Sequence, residues 1–319
     1  MKPFKTYRQQ LRILRDRGLT ISNGARAMRI LEKANYYSLI NGYKDLFLVK
    51  DHNGNAVTPE KYKNGVTFEE IYALYCFDRE LRNTLLKELL KFESSIKSKL
   101  SYRFSEMHRE PNAYLHMQNF SRDPKKLKNI LKLITVISNE ISKQSDRNNP
   151  ISHYLDKHDG VPLWVLVKYL TLGNIQNFYI CLDDSIQNKI AQDFANSYRR
   201  DYNSSIHFTS DMLVNILKTA TLFRNVCAHE ERLYNFRLEK PARSRKISVA
   251  LGIPINLLDK GNFFTMLSFL KLVIPRSDHK SLIRNLKHLF GHYSNQFSSV
   301  TFDEILNEMG FDPNWETLF

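Results

Sequence analysis

Cysteine is scarce in this 319-residue chain: Cys76, Cys181 and Cys227 are the only three, and no two stand at CxxC spacing. That excludes a disulfide scaffold, a zinc ribbon and a thioredoxin-like site. It fits a reducing compartment, where cysteine serves as a small buried hydrophobe. Long apolar runs are also missing. The most apolar stretch, Met266 to Ile274, is interrupted by Lys271 and ended by Pro275, well short of the ~20 residues a membrane-spanning helix needs. The first residues, MKPFKTYRQQLRILRDRG, contain no apolar segment of the kind a signal peptide carries. The expectation is a cytoplasmic protein that does not enter a membrane. Glycine (11) and proline (10) are few and alternating apolar runs are rare, so the chain reads as mostly helix.

Negative charge is in deficit. Lys and Arg total 47 against 33 Asp and Glu, a formal net charge of +14 and a pI near 9.5. With 42% hydrophobic and 12% aromatic residues the chain is too apolar to be disordered. The excess of cations points to a polyanionic partner, nucleic acid or an anionic membrane surface. A soluble basic protein with no such partner has the same composition. A membrane role draws little support, because no helix pairs a basic face with exposed aromatic anchors.

Helical spacing organises most of the chain. Leu11 and Leu14 place a first helix over about Thr6–Arg17, stopped by Gly18, and a second follows Ser22 or Asn23. A tyrosine-rich segment from Asn35 to Tyr43 comes next, then turn-forming residues at Asp51–Asn55 and a loop from Pro59 to Gly65. A boundary there divides a small basic helical unit, residues 1–65, from a larger helical domain, residues 66–319. The larger part begins with a long helix over about Phe68–His108, with a possible break near Asp78. A helix over Lys125–Lys143 and a polar linker at Asp146–Pro150 follow. Pro162 then suits the first turn of another helix, and a further one runs over about Ser185–Tyr198. Thr209-Ser210-Asp211 caps a helix over about Met212–Phe236. A basic loop, Arg237–Lys246, and helices near Phe263–Val273, Lys280–Phe297 and Phe302–Met309 complete an all-α reading.

The helix expected over 212–236 carries Phe223-Arg224-Asn225-Val226-Cys227-Ala228-His229. At ~100° per residue, Asn225 and His229 lie ~40° apart, one turn from each other, with Arg224 flanking that face. An arginine fork suits a phosphodiester, a histidine takes and gives a proton near neutral pH, and an amide orients either. An ordinary solvated helix face has the same look. Arg103 and His108 repeat the spacing, and Arg147 with His153 and Arg284 with His288 come near it. Arg224 alone combines the following Asn, the spacing and a capped amphipathic helix. His288 and His292 stand one turn apart and read as a metal face or as plain surface histidines, the second being the better fit to a cationic helix.

Arg224-Asn225-x-x-x-His229 resembles the signature of HEPN-type ribonucleases. The chain as a whole is similar to the Abi-like (Abi_2, AbiD/AbiF-type) abortive-infection proteins of that superfamily. The resemblance rests on five blocks in order: Arg17-Gly18-Leu19 with Leu31–Leu39 and Gly42-Tyr43; Phe77–Arg82 with Phe92-Glu93; Pro162-Leu163-Trp164 with Leu172-Gly173-Asn174; Arg224–His229 through Tyr234-Asn235; and Gly310–Trp315. Lys97 stands where an arginine is expected, and Lys168 where an acid is expected. The resemblance implies an all-α, HEPN-like helical bundle. It implies an endoribonuclease effector of anti-phage defence that needs no metal or other cofactor.

In that reading His229 is the acid or base, Arg224 neutralises the phosphate and Asn225 orients one of them. One motif supplies one histidine, so the resemblance also implies a homodimer that pairs two motifs across a C2 axis. The alternative is a non-catalytic RNA-binding protein that forms a ribonucleoprotein with a small non-coding RNA; an antitoxin partner is open. Glu93, on an apolar side of its helix, is either a partner for Arg224 or half of a structural ion pair. RNA contacts are expected from Arg237, Lys240, Arg243, Arg245 and Lys246. The first helix adds Lys5, Arg8, Arg12 and Arg15, near tyrosines that serve either stacking or the core.

Overall fold

A computed structural model describes residues 3–241 and 244–319. Every regular element in it is helical, which makes the fold all-α; the only β-type pairing is three isolated bridges among residues 20–67. In chain order the helices are α1 (Tyr7–Asp16), α2 (Gly24–Ala34), α3 (Phe68–Met107), α4 (Leu127–Ser145), α5 (Pro150–Lys157), α6 (Leu163–Leu166) and α7 (Leu172–Cys181). Then come α8 (Asp184–Tyr202), α9 (Ser210–Ala228), α10 (Arg245–Leu251), α11 (Ile255–Leu258), α12 (Phe263–Leu270), α13 (Arg276–Ser294) and α14 (Phe302–Met309). No helix among the described residues is long and apolar enough to cross a membrane.

The axis of the fold is α3. Its start is fixed by a capping box in which the Thr67 hydroxyl accepts from Glu70 N and the Glu70 carboxylate accepts from Thr67 N. The other Glu70 oxygen accepts from Ser298 N and Ser299 N, both at 2.7 Å, so the cap also fastens the segment before α14. Burial works against the Glu70 charge, yet these backbone donors hold its carboxyl below the usual range. Ile71, Leu74, Leu81, Leu85, Leu89, Phe92, Ile96, Leu100 and Phe104 are buried along α3, and α6, α7, α8, α9, α12 and α13 all pack on it. At 1.5 Å per residue the helix is roughly 60 Å long.

The expected break near Asp78 is absent. Asp78 is fully buried and one turn from Arg82, which neutralises it inside the helix. Pro150 opens α5, with Asn149 as its cap, so the linker is shorter than its composition implied. Arg245 and Lys246, expected in the basic loop, instead start α10.

Residues 3–65 lie against the first turns of α3. Thr20 pairs with the chain on either side of Thr67, and Arg17 and Lys44 both bind Glu60. A π-helical turn at Tyr37–Asn41 brings the tyrosine-rich segment onto α3. Gly310 closes α14 in the left-handed region at φ +90°, against Asn262, the residue that caps α12. A side chain at position 310 would meet that amide, so the closing segment Gly310–Trp315 depends on this glycine.

Candidate functional site

Helix α9 crosses the bundle between α3, α7, α8 and α12. Thr209 caps it by accepting from Met212 N, and Leu213, Ile216, Leu217, Ala220 and Phe223 fill the core. The helix ends at Ala228, not near Phe236. His229 still donates its N–H to the Asn225 carbonyl at 2.9 Å, but Glu230 then turns left-handed at φ +57° and Glu231 N returns to Val226 O. This is a Schellman-type stop with glutamate where glycine is usual. A non-glycine residue in that conformation costs about 1 kcal/mol. Glu230→Gly is therefore expected to raise stability by about 1 kcal/mol, read as a higher urea midpoint at unchanged slope. A lower midpoint would show that the Glu230 side chain contributes something the backbone argument omits.

The chain after this turn is held by Asp78. Its carboxylate accepts from Leu233 N, from Tyr234 N at 2.6 Å and from the Tyr43 hydroxyl at 2.7 Å, and it pairs with Arg82 at 2.5 Å. Arg82 also donates to the Glu231 carbonyl, and Arg232 donates to the Gly42 carbonyl and Asp45. Burial raises the Asp78 carboxyl, and the Arg82 charge and the donors from Tyr43, Leu233 and Tyr234 oppose it. Burial likewise works against the Arg82 charge, and Asp78 more than restores it. This hub joins α3, the π-helical turn and the residues just past His229. Sequence reasoning missed it; the available signal was Asp78 and Arg82 at i, i+4 within the apolar stripe of α3.

The Arg-Asn-His set lies at the end of α9. Asn225 and His229 are exposed and Arg224 is half-buried. Arg224 leans toward α3, where its Nε is 3.6 Å from Oε2 of Glu93 without a hydrogen bond between them. The other Glu93 oxygen accepts from Lys97 Nζ at 2.7 Å, so Lys97 takes up half of the carboxylate's charge. No side-chain hydrogen bond ties down Arg224, Asn225 or His229 among the described residues. The other spacing match differs: Arg103 is engaged by Asp193 and Glu106, and His108 packs on Phe104. His288 and His292 are exposed on α13. Cys227 and Cys181 are buried thiols, pushed up by desolvation to about 12 and about 11. Neither is a thiolate at neutral pH.

His229 opens into a cleft of about 500 Å³. Glu230 and Arg232 share its wall, and Tyr43, Tyr75 and Arg82 line it from the Asp78 hub. Lys33, Asn35, Tyr37, Ser38 and Asn41 of the N-terminal unit face them. Tyr37 is 77% exposed, whereas Tyr43 is buried and Tyr36 half-buried, so the tyrosines divide between surface and core. The basic clusters anticipated from sequence do not line this cleft. Lys5, Arg8, Arg12 and Arg15 are exposed, and Arg15 reaches the Ile21 carbonyl. Arg237 pairs with Glu308 and Lys246 with Asp211, while Lys240 and Arg245 are exposed without an acidic partner among the described residues. Arg243 lies outside the described residues.

Comparison with known proteins bears on the central part of the chain. A family model described as Abi-like protein matches residues 29–235. That span includes the π-helical turn, Asp78, Arg82, Glu93 and the whole Arg224–His229 set. It excludes the cations of α1 and of residues 237–246. No curated protein and no solved structure matches. The family match covers well over half of the sequence, and the chain belongs to the Abi-like protein family.

Proposed function

We propose that this protein is an abortive-infection effector that cleaves RNA as a HEPN-type, metal-independent endoribonuclease. The observation that carries the reading is the state of Arg224, Asn225 and His229. Three side chains suited to a phosphodiester share one end of α9, and none is committed to another protein group by a hydrogen bond among the described residues. The buried Nε of Arg224, 3.6 Å from Glu93, keeps the guanidinium at the end of α9, and its terminal N–H groups are the ones that would meet a phosphate.

In this mechanism His229 removes the proton from a ribose 2′-OH as that oxygen attacks the adjacent phosphorus. Arg224 neutralises the charge that builds on the phosphoryl oxygens. The P–O5′ bond breaks, the departing 5′ oxygen takes a proton from a second histidine, and the products are a 2′,3′-cyclic phosphate and a 5′-OH. DNA, lacking the 2′-OH, is not cleaved. The second histidine is the partner's copy of the same side chain in a C2 dimer. Leu222, two turns before His229 on the same face and 48% exposed, gives that dimer an apolar contact beside the site.

The test is cleavage of total cellular RNA by the purified protein in EDTA, with the termini of the products identified. Wild type yields cyclic phosphates, and Leu222→Asp lowers both the dimer fraction and the cleavage. RNA bound by wild type but left intact at every pH tried assigns the site to binding alone, as in a ribonucleoprotein with a small RNA.

A further inference from the structure

A second cleft, about 280 Å³, adjoins the one at His229 and shares Lys33, Ala34 and Tyr75 with it. Two helical stripes form its sides. On α2, Arg26, Arg29 and Lys33 recur at i, i+3 and i+7, which keeps them on one face over roughly 10 Å of helix. On α3, Tyr72, Tyr75 and Arg79 recur at the same spacing, and the Tyr72 and Tyr75 rings stack at 6.2 Å with an interplanar angle of 17°. Arg26, Arg29, Lys33 and Arg79 are all exposed, and none forms a salt bridge among the described residues. Glu230 is the only carboxylate among the described residues that line either cleft.

Elsewhere some clustered cations are paired, Arg17 with Glu60, Arg237 with Glu308 and Lys246 with Asp211, and the unpaired ones, such as Lys5, Arg8, Arg12, Lys240 and Arg245, do not line a cleft that adjoins His229. A groove that keeps four unpaired cations beside aromatic faces is arranged for a polyanion carrying flat groups. Cations that follow a backbone, with rings for its bases, are the features of single-stranded nucleic-acid binding. Duplex fits worse, because its bases are stacked inside and offer no faces to Tyr37 or Tyr75.

We infer that the α2–α3 groove is the track along which single-stranded RNA runs into the His229 cleft. Arg26, Arg29, Lys33 and Arg79 hold successive phosphates, and Tyr37 at the cleft stacks on a base beside the scissile bond. This rests on the reading of His229 as the cleavage site and adds the path of the strand. It assigns the grip to α2 and α3, ahead of the α1 and 237–246 clusters.

The test uses full-length protein carrying His229→Ala, so that bound RNA stays intact, and a fluorescent oligouridylate as probe. Arg26→Glu with Arg29→Glu is expected to weaken binding more than tenfold and to flatten the salt dependence by about 1.4 in slope, two phosphate contacts at ~0.7 each. Tyr37→Ala is expected to cost about tenfold at nearly unchanged salt slope. The comparison pair Lys128→Glu with Lys132→Glu, exposed cations of α4, is expected to change binding less than twofold. If the Arg26/Arg29 pair and Tyr37→Ala both bind like their parent while the native protein still cleaves RNA, the track is wrong and the nuclease reading stands. If the native protein neither binds nor cleaves RNA, both fall together.

Discussion

Replacing His229 by alanine is expected to abolish RNA cleavage while leaving the fold intact. The side chain is exposed and forms no hydrogen bond among the described residues, so its loss should change stability by less than about 0.5 kcal/mol. Its chemical contribution is of another order. General acid or base catalysis is worth about 10²–10⁴-fold per role, and a C2 dimer uses the same residue in both roles, so a fall of at least about 10³ in kcat is expected. KM should move little, because in the proposed mechanism the histidine acts on protons in the transition state and substrate binding is left to other groups. Single-turnover kinetics on a short oligoribonucleotide over a range of substrate concentrations measures both. Cleavage that persists in His229→Ala would mean that another group is the base and that the α9 terminus only binds. Arg224→Lys complements this experiment. A lysine retains the charge but loses the fork, and it no longer spans the distance to Glu93 in the same geometry.

The elements that were legible in the sequence are those whose signal is local. Thr209 before Met212 announces a helix start because the cap satisfies an orphan N–H group within three residues. Arg224, Asn225 and His229 were legible because one turn of helix is enough to place them. Glu93 was legible as a carboxylate on an apolar face that needs a cation, but which cation was left open; Lys97 bonds it at 2.7 Å and Arg224 stands 3.6 Å away. The end of α9 was not legible. Leu233 is apolar and at helical spacing from the rest of the stripe, and Glu230 carries no mark of the left-handed turn it makes. What stops the helix is Asp78, far away in sequence, drawing Leu233 N and Tyr234 N to itself.

The same limit hid the basic groove. Runs such as Arg237–Lys246 stand out in a linear reading, but their charge is partly cancelled once Glu308 and Asp211 arrive from other helices. Arg26, Arg29 and Lys33 look like an ordinary polar face until α3 sets Tyr72, Tyr75 and Arg79 opposite them. Single-element patterns report which faces are polar. Which polar faces meet is decided by packing of the long α3 helix, and that information is spread over the whole chain.

Asp78→Ala is the largest expected loss of stability in the molecule. The carboxylate is completely buried, and its removal leaves the Arg82 guanidinium without its counter-charge. It also leaves Leu233 N, Tyr234 N and the Tyr43 hydroxyl without an acceptor. Breaking a buried pair on one side costs about 3–5 kcal/mol, a large fraction of the 5–15 kcal/mol that holds a typical domain together (~10 at the centre). Urea denaturation should show the midpoint falling accordingly. The double variant Asp78→Ala with Arg82→Met should recover part of the loss, because no charge is then left buried alone. Cleavage should fall in both variants, and more than stability alone accounts for when assayed far below the midpoint, since the turn that follows His229 is no longer fastened to α3 and to the π-helical turn. An Asp78→Ala protein with an unchanged midpoint would mean that water replaces the carboxylate at no cost. The hub would then be a passive filler between α3 and α9, and the position of His229 would depend on the α9 backbone alone.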